Sequence, residues 1–376
     1  MTNPFTPNFG QVPCQIAGRK DIISQLDYAY ENAPGDPGLT TIFVGARGTG
    51  KTALLSYYSR NIQNRGWISV DVSCMPGMLE DIYEQSIRKT SHLVDNEKYD
   101  SKITKSIEAR LPILKAGIEV EKAYQNSGRN WRSRMTDLIE ALNSQDIGLL
   151  ITIDEVNPNE EEMIAFASIY QMFIREERKI ALLMAGLPHS VSLLLKNKQV
   201  SFLRRASQSY LKKVDDYEIE DAFVKTIEIG GKRINKDAIQ EAAKNINGFP
   251  FMFQLLGYRA FELAENSVEI SLENIKKGTE LAFRDLATRV IKATIDEISD
   301  MGIKFLLAMC EDEDYSNNQL IAKRLNKDTN YIATYRKRLL DHGVIENIDK
   351  NNYSFAIPYT REYLVDTYAH KMKGGK

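Results

Sequence analysis

The run Gly45-Ala46-Arg47-Gly48-Thr49-Gly50-Lys51-Thr52 fills every fixed position of the pattern G-x-x-x-x-G-K-[ST]. Glycines at this spacing let successive backbone N–H groups turn inward around an anion. Lys51 adds a point charge for the β- and γ-phosphates, and the Thr52 hydroxyl is a ligand for Mg2+. The carboxylate pair Asp154-Glu155, which ends the apolar run Leu149-Leu150-Ile151-Thr152-Ile153, belongs to the same chemistry. Such a pair stands at the carboxyl edge of a strand, where open α/β sheets bind ligands. Asp154 would hold Mg2+ through its water shell, and Glu155 would orient and deprotonate the water that attacks the γ-phosphate. Alone, an apolar run ending in Asp-Glu marks no more than a strand end. One Mg2+ site needs both halves, so the phosphate loop upstream gives the pair its meaning. The expected cofactors are ATP or ADP with Mg2+, and the expected reaction is hydrolysis of ATP to ADP and phosphate.

These groups need a strand before the loop and a helix after it. Thr41-Ile42-Phe43-Val44 supplies a short β-branched run, and Ala53-Leu54-Leu55-Ser56-Tyr57-Tyr58 follows with helix-forming character. From Ile42 to Leu211 short apolar runs alternate with longer helical patterns, the signature of a parallel sheet wrapped by helices. The further strands are expected at Trp67–Val72, Leu149–Ile153, Ile180–Met184 and Ser209–Leu211. Residues 98–128 are charged, without single-face periodicity, and read as an exposed helical insertion. Past Asp216 the strand runs stop, and helices are expected at Asp237–Ile246, Phe251–Glu265 and Leu272–Ile298. Within them Gly248-Phe249-Pro250 ends one helix with glycine and starts the next with proline. Three units are expected: an α/β nucleotide-binding domain at 1–215, a helical lid at 216–297 and a C-terminal domain at 298–372.

In the last unit Asn318–Leu325 reads as a short helix, Asn326-Lys327-Asp328 as a turn, and Thr329 to His342 as a second helix closed by Gly343. Ile332, Tyr335, Leu339 and Leu340 fall on one face of that helix, leaving Asn330, Thr334, Lys337 and Arg338 on the other. Val344–Asn347 and Tyr353–Ala356 flank the polar turn Asp349-Lys350-Asn351-Asn352, a hairpin wing. Lys323, Arg324, Lys327, Arg336, Lys337 and Arg338 crowd this stretch with few acids, which favours contact with duplex DNA over a purely protein-docking role. The DNA contacts would come from Asn330, Thr334, Lys337, Arg338 and Lys350.

At 376 residues, 43% hydrophobic and 27% charged, the chain has the composition of a globular protein with more than one domain. Its apolar runs are too short for a bilayer span, and its N-terminus has neither a basic patch nor an apolar core, so cytoplasmic residence without a membrane partner is expected. The 3 cysteines and 4 histidines are scattered, which suggests neither a zinc site nor a disulfide framework. A net charge of −2 excludes a globally basic nucleic-acid binder but leaves room for a local basic face.

Over nearly its whole length the chain resembles the AAA+ ATPases, and within them the branch of origin-recognition and replication-initiator ATPases and their bacterial relatives. The resemblance implies a P-loop NTPase core, a helical lid and a C-terminal winged helix. It implies that Gly18-Arg19 lies near the adenine base, that Pro250 of the lid faces the nucleotide, and that Arg205 of Leu203-Arg204-Arg205-Ala206 acts as an arginine finger toward a neighbouring subunit in a homo-oligomer. The sequence departs from the family in two places. After the fourth strand it reads Met184-Ala185-Gly186-Leu187-Pro188, with nothing polar until His189, and after Pro250 it reads Phe251-Met252-Phe253-Gln254, the nearest arginine being Arg259. The resemblance therefore implies an ATPase whose nucleotide state controls assembly and DNA binding. The departures point instead toward a slow regulatory switch that assembles protein partners, as in the signalling ATPases called STAND.

Overall fold

A computed structural model describes residues 2–8, 11–95 and 128–373. Five strands, β1 (Thr40–Val44), β2 (Trp67–Ser73), β3 (Gly148–Asp154), β4 (Ile180–Gly186) and β5 (Ser207–Tyr210), form one sheet in the order β2-β3-β4-β1-β5. Every pairing in it is parallel. Parallel strands have both faces covered, which is why β3 and β4 are apolar almost without interruption. Their side chains divide by the period of two. Ile180, Leu182 and Met184 join Leu149, Ile151 and Ile153 in the core beneath the helices Gly128–Asn143 and Glu161–Arg175. Ala181, Leu183, Ala185 and Leu150 face the opposite way, against Leu26, Tyr30, Leu54 and Tyr58 of the helices Lys20–Glu31 and Lys51–Asn61. The fifth strand starts two residues earlier and ends one residue earlier than the sequence suggests, because the partners of β1 run from Ser207 to Tyr210. Of the expected helical insertion at 98–128, all but its last residue lies outside the described residues.

Beyond the sheet come the helices Asp216–Ile229, Lys236–Ile246, Pro250–Leu263 and Leu272–Leu286, with the two-residue strands β6 (Arg233–Ile234) and β7 (Glu269–Ile270) paired between them. Local chemistry sets the ends of these helices. Asn235 caps the second, Ser271 and Asn274 form a reciprocal capping box on the fourth, and Asn247 and Gly248 leave the second in left-handed conformations. The expected long helix to Ile298 is interrupted by a π-turn at Ala287–Ile291 and ends at Ile295.

The C-terminal unit runs helix Asp300–Met309, strand β8 (Ser316–Asn317), helix Asn318–Leu325, helix Thr329–Asp341, strands β9 (Ile345–Asn347) and β10 (Asn352–Phe355), and helix Thr360–Lys373. Its antiparallel sheet has the order β8-β10-β9. Lid and C-terminal unit share one continuous apolar core. Residues at the head of the chain join that core as well, Phe5 being buried among Phe223, Phe253 and Gly257.

Candidate functional site

All five strands point their carboxyl ends to one edge, and the loop Gly45–Gly50 leaves β1 there. Gly45 N–H donates to the Gly186 carbonyl at 3.4 Å, tying the start of the loop to the end of β4. Gly48 and Gly50 have φ of 82° and 89°, a backbone that disfavours any side chain. The glycines are also needed for space, since a Cβ on Gly48 would lie 2.6 Å from the Phe249 ring. The lid turn Gly248-Phe249-Pro250 thus sits directly on the loop. Phe251 N–H donates to the Gly48 carbonyl at 3.2 Å, and Pro250 approaches Gly50.

Lys51 Nζ donates to the carbonyls of Gly45 at 2.9 Å and Ala46 at 2.7 Å, so the ammonium is held across the mouth of the loop. Burial pushes its pKa down to about 8, against the opposing pull of Asp154. Thr52 Oγ1 donates to Asp154 Oδ2 at 2.6 Å. Two hard oxygen donors therefore meet beside the loop, a set that fits Mg2+, which takes one or two protein oxygens and completes its shell with water and phosphate. The other oxygen of Asp154 accepts from Glu155 N–H at 2.9 Å. Glu155 itself has φ of 55°, a strained region for a side chain of this size, and its carboxylate is exposed.

A cavity of about 220 Å3 opens on this edge, and Arg19, Gly48, Thr49, Gly50, Lys51, Thr52 and Pro250 all line it. Gly18, Gly45, Ala46 and Arg47 do not. Gly18 is a turn residue with φ of 65°, closed against Val214. The Arg19 guanidinium is buried and donates to the Lys212 carbonyl at 2.8 Å, which fastens the segment ahead of the first helix to the end of β5. Ala46 lies against Gly343 of the C-terminal unit, where a Cβ would come within 3.2 Å.

Arg47, expected among the nucleotide-binding residues of the loop, turns its side chain toward the end of the lid. Its guanidinium donates to Glu297 at 2.8 Å and to the Ala293 carbonyl at 3.4 Å. Arg259 is likewise engaged, with Asp285 at 2.8 Å and Glu262 at 2.9 Å. Arg205 lies at the amino edge of the sheet, just before β5 and opposite the phosphate loop. There it lines a larger cavity of about 540 Å3 with Asp36, Tyr170, Arg175 and Arg178. Among the described residues it has no ion pair, whereas Arg204 is held by the Leu195 carbonyl at 2.7 Å. From that edge Arg205 cannot reach the phosphates of its own chain.

In the C-terminal unit Asn330, Thr334, Lys337, Arg338 and Lys350 are all exposed. The Thr334 hydroxyl donates to the Asn330 carbonyl one turn back at 3.2 Å, and the Arg338 guanidinium lies 5.2 Å over the Tyr335 ring. Two of the crowded basic residues are not available to a ligand. Arg324 makes a two-point pair with Asp312 at 2.6 Å, and Arg336 donates to Asn347 at 2.6 Å while lying over Tyr353.

Sequence reasoning did not foresee the junction between this unit and the helix that follows β4. His189, in the first turn after β4, stacks on His342 with ring centroids 6.3 Å apart and lies 3.6 Å from Asp341. The only signal was His189 as the first polar side chain after β4. Among the described residues no helix is long and apolar enough to cross a membrane.

The family model for the KAP family P-loop domain matches residues 19–220. A domain of unknown function (DUF8462) matches residues 288–364. No curated protein matches the chain. Among solved structures it is similar to the Walker-type ATPase PABY2304 of Pyrococcus abyssi, at 15% identity over 93% of this chain and 96% of that one, with a TM-score of 0.64. It is also similar to the ORC2 protein of Aeropyrum pernix in its ADP form, at 13% identity over 98% of each chain, with a TM-score of 0.51. At these identities the matches speak for the fold, and at that level the resemblance to origin-recognition ATPases holds.

Proposed function

The chain belongs to the KAP family of P-loop domains, and from that premise we propose that it is an ATP-binding ATPase whose nucleotide state controls its assembly and the contact of a C-terminal winged helix with duplex DNA. Lys51 and the backbone of the loop would hold the phosphates, Thr52 and Asp154 would hold Mg2+, and Glu155 would accept the proton of the attacking water. Mg2+, when bound, would neutralise charge on the phosphoryl oxygens. Turnover should be slow, because Arg47 and Arg259 are both held in ion pairs.

The observation that carries the reading is the docking of the C-terminal unit on the phosphate loop. Ala46 of the loop lies against Gly343, His189 just after β4 stacks on His342, and Arg47 of the loop pairs with Glu297 at the end of the lid that shares the unit's core. A ligand that reshapes the loop must then disturb the unit, and anything held by the unit must bias the loop in return. Duplex anisotropy in the absence of nucleotide, with ADP and with a non-hydrolysable ATP analogue tests this, together with turnover in the presence and absence of DNA. Nucleotide-dependent duplex affinity and DNA-stimulated turnover are expected. A second reading, a nucleotide switch of the STAND kind that docks proteins, is favoured by the internal engagement of Arg324 and Arg336. It prevails if no duplex binding occurs at low salt in any nucleotide state.

A further inference from the structure

β5 stands at one edge of the parallel sheet, with β1 on one side and no strand among the described residues on the other. Leu211 N–H donates to the Val44 carbonyl at 2.8 Å, which fixes the alternation along the strand. Ser207, Ser209 and Leu211 turn their backbone groups toward β1, so the N–H and C=O groups of Gln208 and Tyr210 point away from the sheet. Among the described residues those outward groups have no hydrogen-bond partner. A bare edge of this kind is a template for one more strand, and natural sheets blunt or cover it.

Both faces beside this edge are open as well. Ser207 and Ser209 line a cavity of about 420 Å3 with Ile22, Gln25 and Tyr28 of the helix Lys20–Glu31. On the other face Tyr210 lines a cavity of about 240 Å3 with Leu195 and Lys196 of the helix Pro188–Lys196 and with Arg204. Tyr28 and Tyr210 remain 63% and 61% exposed, so neither face of the edge is covered. A strand laid against β5 would send successive side chains to opposite faces, into one cavity and then the other. Charge says which side chains suit them. From Leu187 to Val214 the chain has no Asp or Glu and carries Lys196, Lys198, Arg204, Arg205, Lys212 and Lys213. Lys196 is exposed without an ion pair among the described residues, and Arg204 uses its Nε on the Leu195 carbonyl, leaving both terminal nitrogens to a ligand. The cavity beside Tyr28 and Ile22 offers an apolar wall instead.

We propose that β5 is a docking edge for an extended acidic segment of a partner protein. The segment adds to the sheet as a further strand, with apolar side chains toward Tyr28 alternating with carboxylates toward Lys196 and Arg204. Backbone bonds to Gln208 and Tyr210 supply affinity, and the two cavities supply the side-chain pattern. A nucleic acid could use the cations, but it has no backbone to pair with the strand edge. The inference stands apart from nucleotide and duplex binding and needs neither.

The test is fluorescence anisotropy of the full chain with a labelled peptide that alternates leucine and glutamate. It should bind at least about tenfold more tightly than a peptide of the same composition with its leucines and glutamates in separate blocks. N-methylation of the leucine amides and of the glutamate amides should have unequal effects, because only one set faces β5. Gln208→Pro removes an outward N–H where the β1 ladder does not use it, and should weaken binding about tenfold. Lys196→Glu combined with Arg204→Glu should lose the peptide and gain one that alternates leucine and lysine, a switch that a folding defect cannot produce. ATP titration should be the same in every variant. Equal binding of alternating and blocked peptides, equal effects of the two methylations, or no peptide binding by the wild type overturns the proposal. If the wild type ignores the peptides and the double variant loses duplex affinity, the basic tract serves nucleic acid instead.

Discussion

Lys51 gives the site a pH dependence that can be stated with its sign. Burial holds the ammonium down to about 8, so below that pH the charged form is already present in the free protein. Bound phosphates favour the charged form and raise its pKa, so above pH 8 binding must take up a proton. ATP affinity should be flat below pH 8 and fall by up to about tenfold per pH unit above it, as read by titrations on either side of that value. Lys51→Arg, charged throughout, should flatten the fall, and a flat wild-type profile would refute the account. Glu155 behaves differently. Glu155→Gln should retain ATP while turnover drops by roughly 10²–10⁴-fold, whereas Lys51→Ala should lose tight binding. Equal loss of affinity in both would sink the division of roles. These residues were legible in the sequence because the motif is local: eight consecutive positions and one strand end carry it. The partner of Arg47 was not, since it lies 250 positions away and no spacing rule connects the two.

The element that decides the DNA question is the helix Thr329–Asp341. Its amphipathic pattern was readable, because Ile332 and Leu339 are buried while Asn330, Thr334, Lys337 and Arg338 are exposed, as a period of 3.6 requires. What pattern could not tell was which basic residues are free. Arg324 and Arg336 look equivalent to Lys337 in the sequence, but acidic and amide partners reached through tertiary packing engage them. The two groups should separate by experiment. Replacing Lys337 and Arg338 together by alanine should weaken duplex binding for all sequences. It should also lower the slope of log affinity against log salt by about one unit for each phosphate left without its cation, and leave the melting temperature unchanged. Arg324→Ala should instead destabilise the fold by roughly 1–3 kcal/mol, because it leaves the Asp312 carboxylate without its partner, and denaturant melts would register it. If Arg324→Ala melts like the wild type, the pair is a surface feature after all.

On the scale of the whole molecule, Arg205 and Glu155 stand at opposite edges of one parallel sheet, so catalysis that uses both requires two chains. Mixing Arg205→Ala with Glu155→Gln should then restore part of the ATPase that each lacks alone, because some interfaces regain one intact copy of each. The recovery should grow with protein concentration along with the oligomers seen by light scattering. No recovery where oligomers are present would make Arg205 an ordinary surface arginine, with an effect below about 1 kcal/mol. How the expected units divide mechanically was not legible in the sequence. Their boundaries follow composition and turn signals, whereas the packed core ignores them, running from Phe5 through Phe253 and Leu286 to Phe305 and Tyr353. Lid and C-terminal unit should therefore melt in one cooperative step and the sheet domain in another. A calorimetric scan would resolve two heat-absorption peaks, only the sheet's own peak surviving deletion of everything after Val214. The molecule would then work as a clasp of two rigid jaws that meet at the phosphate loop.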